Sequence, residues 1–234
     1  MTDRLQISDL SGGYPDLNVF SGVGFSASSA EILAILGANG CGKSALLESI
    51  QGVLPIRTGT ILLDGEPVHV LPPEARAARG MSLVSDRRRL WNEMTVQEHL
   101  RVGAFRPAAR QGWRDRALGL RSLFPDLSSL LGARPAALSG GLQQQLALAR
   151  FAMSSPRVWL LDDPLQGLDE ASTGRVLDWI RNAARGGAAV ILTGQHIHAL
   201  LGVASKAMFL EDGFLSELPI GPDGLRDPRV RSLL

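Results

Sequence analysis

The segment 37–44 constrains the fold of this chain more than any other. It reads Gly-Ala-Asn-Gly-Cys-Gly-Lys-Ser, the pattern G-x-x-x-x-G-K-S. An apolar run, Ile32–Leu36, precedes it and predicts a buried strand, while Ser44–Gln51 after it suits a helix. A glycine-rich turn between strand and helix points successive backbone N–H groups inward, where they bind phosphate oxygens. A chance glycine-rich turn is the alternative, but the Lys-Ser pair and both flanks favour a phosphate-binding loop.

The residues of this loop have separate predicted roles. Lys43 brings a positive charge to the β- and γ-phosphates of a nucleoside triphosphate, and we count it among the catalytic residues. Ser44 offers a hydroxyl to Mg²⁺ and opens a helix whose positive N-terminus faces the anion. We expect the nucleotide to be bound by Gly37, Asn39, Gly40, Cys41, Gly42, Lys43 and Ser44.

Composition excludes several classes of protein. Hydrophobic residues make up 45% of the 234 residues and charged residues 20%, which is typical of a globular domain. The net charge of +1 provides no general field for nucleic acid, so no nucleic-acid partner is expected. The single cysteine excludes an intramolecular disulfide. Neither a signal peptide nor an apolar run of transmembrane length is recognisable. We therefore expect a soluble protein that reaches a membrane only through partner chains.

The remaining pattern alternates between strands and helices. Predicted strands are Leu5–Leu10, Val19–Ala27, Ile32–Leu36, Thr60–Leu63, Val158–Leu161, Ala188–Thr193 and Lys206–Leu210, followed by a last strand after a turn at 211–213. A further turn is predicted at 11–16. Predicted helices are Glu74–Arg79, Thr95–Phe105 with a Thr95/Glu98 capping box, Gly140–Met153, Glu170–Ala184 and Ile197–Val203. This order predicts an α/β fold: a mostly parallel sheet, an N-terminal antiparallel β subdomain, and a helical insertion over about 87–155.

Two further motifs accompany the phosphate-binding loop. Val158–Asp162 is an apolar strand that ends in a carboxylate, and such a strand end lies beside the loop in a parallel sheet. Asp162 is therefore predicted to hold Mg²⁺, directly or through water. Leu138–Leu142 reads Leu-Ser-Gly-Gly-Leu just before a helix. This pattern is typical either of a second anion-binding helix N-terminus or of a plain N-cap. Two chains facing each other head-to-tail would each use this helix N-terminus to complete the other's site.

These motifs, in this order, resemble the ATP-binding subunits of ABC transporters. Leu138–Leu142 is similar to the family's L-S-G-G-Q signature, with Leu142 in place of Gln. The resemblance covers nearly the whole chain and implies one ABC ATP-binding domain over 1–234. It implies that ATP and Mg²⁺ are bound and that Ser139, Gly140 and Gly141 contact ATP held by a second ATPase subunit.

The resemblance also assigns roles to single residues. Tyr14, the only tyrosine, stands where the family stacks an aromatic ring on adenine; an ordinary turn aromatic is the alternative. Asp169 matches a loop that faces the dimer interface, or serves as a helix N-cap, and both can hold. Asp86 stands where the family has a Gln or Glu that contacts Mg²⁺ and the membrane subunit.

A narrower resemblance is to the smaller ATPase subunit of branched-chain amino-acid importers. The segments 84–91 (Val-Ser-Asp-Arg-Arg-Arg-Leu-Trp), 94–100 (Met-Thr-Val-Gln-Glu-His-Leu) and 143–150 carry it. Importers of urea and short amides use related subunits, and 71–80 is similar to the lipopolysaccharide export ATPase. The resemblance implies transmembrane permease subunits as partners, an extracellular or periplasmic binding protein indirectly, and a position at the inner face of the plasma membrane. The segment 87–91 would contact the permease; a solvated arginine cluster is the alternative.

Two positions depart from the family pattern. The family has Glu as general base after the strand carboxylate, whereas Asp163 stands here, one methylene shorter. The family's switch histidine falls at Gln195, although a slip of one residue would make it His196. Gln donates an amide hydrogen bond but carries no charge. We take Asp163 and Gln195 as catalytic positions.

These departures leave three functions open. In the first, the chain binds ATP well, hydrolyses it slowly at its own loop and pairs with a more active subunit. In the second, Asp163 is an adequate base and the chain works as an ordinary dimer. In the third, the chain is a regulatory nucleotide-binding protein with little turnover. A soluble ABC protein acting on nucleic acid is disfavoured, because the chain has neither a tandem domain nor a long coiled-coil insertion.

Overall fold

In the part of the chain that the structure describes, ten strands form two sheets. The structure, a computed structural model, describes residues 3–234. The strands are β1 (Asp3–Tyr14), β2 (Leu17–Ser28), β3 (Ile32–Leu36), β4 (Ile56–Leu63), β5 (Glu66–Pro67), β6 (Met81–Val84), β7 (Val158–Asp162), β8 (Ala189–Thr193), β9 (Lys206–Glu211) and β10 (Phe214–Leu218).

The first sheet is antiparallel and has the order β2-β1-β4-β5. It forms because buried and exposed side chains alternate along its long strands, so that one face packs on the core. The predicted turn at 11–16 is wrong in extent: β1 continues to Tyr14, and only Pro15-Asp16 turn. Gly12 and Gly13 signalled a turn, yet they lie where the register between β1 and β2 shifts. A Cβ on Gly13 would lie 2.6 Å from the carbonyl oxygen of Leu17, so the close approach requires glycine.

The second sheet has the order β10-β9-β3-β8-β7-β6. All neighbours pair in parallel except β10, which pairs antiparallel with β9. Strand β6 was not predicted, because Met81–Val84 is only four residues long, although Gly80 before it lies in a turn. Strands β3, β7 and β8 are buried at every residue, as expected for parallel strands covered on both faces.

Eleven helices are present in residues 3–234. They are α1 (Lys43–Gln51), α2 (Pro73–Ala78), α3 (Val96–Gly103), α4 (Pro107–Arg110), α5 (Trp113–Leu123), α6 (Pro125–Ser128), α7 (Gly140–Met153), α8 (Glu170–Arg185), α9 (Ile197–Val203), α10 (Gly221–Arg226) and α11 (Pro228–Arg231), with a short 3₁₀ turn at Pro135–Ala137. The predicted capping box of α3 is present: Thr95 Oγ1 accepts from the Glu98 N–H, and Glu98 accepts from the Thr95 N–H. None of the helices in this range is long and apolar enough to cross a membrane.

The core lies on both faces of the parallel sheet. Along β3, the side chains of Leu33 and Ile35 join the cluster under the antiparallel sheet, whereas those of Ala34 and Leu36 join the cluster under the helices. Burial of both faces holds the strands rigidly, and their carboxyl ends meet at one edge. The loops after β3, β7 and β8 are therefore brought together at that edge, where α/β sheets usually bind ligands.

Candidate nucleotide-binding site

A pocket of about 410 Å³ opens at the carboxyl ends of β3, β7 and β8. Most of the predicted site residues meet in it. The lining consists of Tyr14, Leu17, Val19, Asn39, Gly40, Gly42, Lys43, Ser44, Ala45, Glu48, Asp86, Arg87, Asp162, Asp163, Gln166, Thr193, Gly194 and Gln195.

The loop between β3 and α1 is built by glycines in conformations that other residues avoid. Gly37, Gly40 and Gly42 have φ values of 153°, 79° and 107°. A Cβ on Gly37 would lie 2.3 Å from the carbonyl oxygen of Leu210, so β9 leaves no room for a side chain there. Lys43 begins α1, and its Nζ donates to the carbonyl oxygens of Gly37 (2.7 Å) and Ala38 (2.8 Å). The loop thus wraps around the ammonium group and presents the N-terminus of α1 to the pocket.

Asp162 is buried at the end of β7 and is held by the neighbouring strand. Thr193, the last residue of β8, donates its hydroxyl to Asp162 Oδ1 at 2.7 Å. The other oxygen, Oδ2, is buried and has no hydrogen-bond partner within residues 3–234. A buried carboxylate oxygen without a partner is costly unless a ligand satisfies it, so this atom suits a bound cation.

Asp163 has a left-handed backbone, with φ of 46°. Its N–H donates to the Thr193 carbonyl (3.1 Å), and its carbonyl accepts from the Gln166 N–H (3.2 Å) and from Gln144 Nε2 (3.3 Å). Burial raises the pKa of its carboxyl group, and Asp162 adds to this, whereas His196 and Lys43 oppose it. The backbone is thus held by three hydrogen bonds while the short side chain lines the pocket.

Both candidates for the switch position lie near this carboxylate. Gln195 is part of the pocket lining. His196 is outside the lining, but its Nδ1 lies 4.0 Å from Asp163 Oδ1. The distance is too long for a hydrogen bond but close enough for a charged imidazole to stabilise the ionised carboxylate. The choice between Gln195 and His196 therefore stays open.

The other predicted residues divide into two groups. Tyr14, at the end of β1, and Asp86, after β6, both line the pocket, while Gly37 and Cys41 belong to the loop but are outside the lining. Cys41 Sγ is 3.7 Å from Lys43 Nζ.

Ser139, Gly140 and Gly141 also lie outside the lining, at the start of α7. Ser139 caps that helix, since its Oγ accepts from the Leu142 N–H at 3.3 Å. Asp169 caps α8 by accepting from the Ser172 N–H at 2.7 Å.

Sequence reasoning did not assign four polar residues of the pocket lining to the site. Thr193 supports Asp162, and Glu48, Arg87 and Gln166 line the wall. Of these four, only Arg87 had a predicted role, as part of the segment 87–91 that would contact the permease. Thr193 could have been found, because it ends a predicted strand at the same sheet edge as Asp162. Arg87 and Gln166 lie on loops whose paths depend on the tertiary fold.

A glycine-rich loop around a lysine, at the start of a helix and beside a strand carboxylate, defines a nucleotide-binding protein of the P-loop class. The family model described as "ABC transporter" matches residues 20–166, so the chain belongs to the ABC transporter family. It is an ABC-type ATPase that binds ATP. The predicted fold class is confirmed, with a mostly parallel ATPase sheet, an antiparallel N-terminal sheet and helices between β6 and β7.

Similar proteins cover the chain to different extents. A "High-affinity branched-chain amino acid transport ATP-binding protein" of Pseudomonas aeruginosa is 31% identical over 97% of both chains. A "Ribose import ATP-binding protein" of Rhizobium johnstonii is 33% identical over 89% of this chain but only 42% of its own length. The solved "Structure of ATP binding subunit of ABC transporter" has a TM-score of 0.84 at 26% identity, covering 98% of this chain and 97% of that one.

Proposed function

We propose that this chain hydrolyses ATP to energise the import of branched-chain amino acids, or a related small polar solute, through membrane permease subunits. The pocket carries the proposal, because it gathers Lys43, Ser44, Asp162, Asp163 and Gln195 at one sheet edge. The full-length likeness to a branched-chain amino-acid transport protein supports the solute class. We take 1–234 as one ATP-binding domain with a helical subdomain at about 87–155.

The pocket residues fit a magnesium ion bound with ATP. The unpartnered Asp162 Oδ2 and the Ser44 hydroxyl share the pocket, and both are hard oxygen ligands of the kind that Mg²⁺ prefers. Asp86 supplies a third oxygen donor on the same lining. The ion would neutralise charge on the β- and γ-phosphates. Lys43 would release its two carbonyl contacts to meet the same phosphates, and Tyr14 would stack on the adenine.

Asp163 would position the attacking water and accept its proton. Its carboxylate is short for this task, while burial and three backbone hydrogen bonds prevent the main chain from moving closer. We therefore propose that turnover at this site is slow. Gln195 would contact the γ-phosphate by an amide hydrogen bond, or the adjacent His196 would do so. The alternative is a regulatory nucleotide-binding protein with little turnover, which the same short carboxylate favours.

A second ATPase subunit would complete the machinery. Ser139, Gly140 and Gly141 lie outside the pocket of their own chain, which supports their use by a facing chain. We propose that they bind the γ-phosphate of ATP held by a partner, in a homodimer or a heterodimer. A more active partner would then depend on this chain's signature even if this chain turns over slowly.

The permease would dock in a groove beside the helical insertion. A cavity of about 550 Å³ is lined by apolar and basic side chains that include Val53, Leu83, Trp91, Val102, Phe105 and Arg150. Trp91 and Phe105 are both 46% exposed, which is high for large apolar side chains and favours a partner there. Such docking would hold the chain at the inner face of the plasma membrane.

The test is solute uptake into vesicles that contain this chain and co-purified permease subunits. ATP-dependent uptake of labelled leucine, abolished by Lys43→Ala and reduced by Trp91→Ala, is the expected result. Arg185→Met, on the far end of α8, serves as a surface control. ATP binding and nucleotide-dependent dimerisation without uptake or turnover would instead favour the regulatory alternative.

A further inference from the structure

Arg88 occupies an unusual place between the segments that carry the proposed chemistry. It lies after β6 with a left-handed φ of 55°, and its side chain is only partly exposed. A Cβ built on Gly140, at the start of α7, would lie 3.6 Å from Arg88 Nη1. A Cβ on Gly167, in the loop after β7, would lie 3.6 Å from Arg88 Nη2. The guanidinium therefore lies between the signature helix and the loop that follows Asp163.

Gln144 connects this guanidinium to the backbone of the catalytic segment. Arg88 Nε donates to Gln144 Oε1 at 3.1 Å. On its other side, Gln144 Nε2 donates to the carbonyl oxygens of Asp163 (3.3 Å) and Pro164 (3.1 Å). Gln144 is completely buried, so its amide has no water to replace these partners. All of its polar atoms are used, and the arginine on one side determines which way the amide faces.

The main chain of Arg88 is itself held by Arg150, which lines the groove proposed for the permease. Arg150 donates to the carbonyl oxygens of Arg88 (2.9 Å) and Arg89 (2.7 Å), and its guanidinium carbon lies 4.9 Å from the centre of the Trp91 ring. A hydrogen bond to a charged donor is stronger than a neutral one. These contacts keep two successive left-handed residues, Arg88 and Arg89, in place.

We propose that Arg88 is a positioning residue for ATP hydrolysis. Through Gln144 it holds the backbone of Asp163 and Pro164, and so sets the place of the Asp163 carboxylate. The inference rests on the proposed role of Asp163 as base. The Arg88 guanidinium affects the rate because the Asp163 side chain is already short, so any displacement of its carboxylate lengthens the distance to the attacking water. A shift of about 1 Å costs on the order of 100-fold in rate.

Three substitutions test the bridge. Arg88→Met keeps the aliphatic stem and removes the donors, Arg88→Lys keeps one donor, and Gln144→Glu sets a carboxylate against two carbonyl oxygens. Arg185→Met is the matched control, since Arg185 also donates to a side-chain amide, that of Asn182 at 3.5 Å, far from the site. Thermal unfolding of each variant shows whether it is folded.

The first measurement is amide hydrogen exchange on the nucleotide-free protein. In Arg88→Met we expect amide exchange at residues 165–168 to accelerate roughly 5-fold or more, as local opening becomes easier, with β8 unchanged. The second is single-turnover hydrolysis with protein in excess. We expect the rate to fall about 10- to 100-fold in Arg88→Met, with partial rescue in Arg88→Lys and ATP affinity changed less than about 2-fold.

The measurements on these variants decide whether Arg88 positions Asp163. Exchange and turnover of Arg88→Met equal to those of the Arg185→Met control overturn the proposal, and so does a change in only one of the two. If Asp163→Asn leaves turnover intact, the base assignment has failed. The exchange result then still shows whether the bridge holds the segment. In an Asp163→Asn background, Arg88→Met is expected to add no further loss, because both act on one carboxylate; an additive loss contradicts this.

Discussion

Replacing Asp163 with Glu is the sharpest perturbation of the proposed base. The main chain at this position is held by hydrogen bonds to Thr193, Gln166 and Gln144, so only the length of the side chain sets the reach of the carboxylate. One further methylene adds about 1.5 Å of bond length. A misplacement of about 1 Å costs on the order of 100-fold, so Asp163→Glu is expected to accelerate turnover by about 10- to 100-fold.

The same substitution carries a calculable cost in stability. The left-handed backbone tolerates Asp, whereas Glu is expected to lose roughly 1 kcal/mol of unfolding free energy there. For a chain of this size, that lowers the melting temperature by about 2–4 °C. Asp212→Glu is the matched control, because Asp212 also has a left-handed φ, of 50°, in the turn between β9 and β10. It should lose similar stability without any gain in turnover.

Single-turnover hydrolysis with protein in excess over MgATP measures the rate without interference from product release. Asp163→Asn keeps the shape, removes the base and is expected to be slower than the unmodified chain. Equal rates for the unmodified chain and Asp163→Glu would refute the reasoning from side-chain length. Equal rates for the unmodified chain and Asp163→Asn would refute the assignment of Asp163 as base.

Three further predictions concern a buried histidine, a strand hydroxyl and a helix cap. The backbone N–H of Trp91 donates to His99 Nε2 (3.1 Å), and His99 Nδ1 lies 2.8 Å from the Thr95 carbonyl oxygen. This arrangement fits a neutral imidazole, in which one ring nitrogen accepts and the other donates. Burial lowers the pKa of His99, so the folded state disfavours the charged ring. The unfolding free energy should then decrease as pH falls from about 6.5 through the folded pKa, and less so in His99→Gln; urea titrations with equal pH dependence in both proteins would contradict this. Thr193→Val removes the hydroxyl that donates to Asp162 and should lower the free energy of unfolding, measured with urea, by about 1–3 kcal/mol. Thr193→Ser keeps a hydroxyl and should retain most of that stability. Thr95→Ala removes the cap of α3 and should cost about 1 kcal/mol, observed as a lower melting temperature, whereas Thr95→Ser should unfold like the parent.

Local patterns predicted most of the fold. Ile32–Leu36 and Val158–Asp162 were recognisable as buried strands because parallel strands covered on both faces are continuously apolar. The capping box at Thr95 was recognisable because both of its hydrogen bonds are local. The run of β1 through Gly12 and Gly13 was mispredicted because glycine serves turns and irregular pairing alike, and only the partner strand decides between them. Strand β6 was missed because four residues carry too little periodicity.

The phosphate-binding loop, the strand carboxylate and the signature were determined by sequence alone, because each depends on residue types at short spacing. The tertiary structure decided what surrounds Asp163. The Thr193 hydroxyl that holds Asp162, the His196 ring 4.0 Å from Asp163, and the link from Arg88 through Gln144 all join residues that are distant in the chain or in separate loops. Such contacts carry no local pattern, since they arise only when strand order and helix packing bring separate segments within hydrogen-bonding distance.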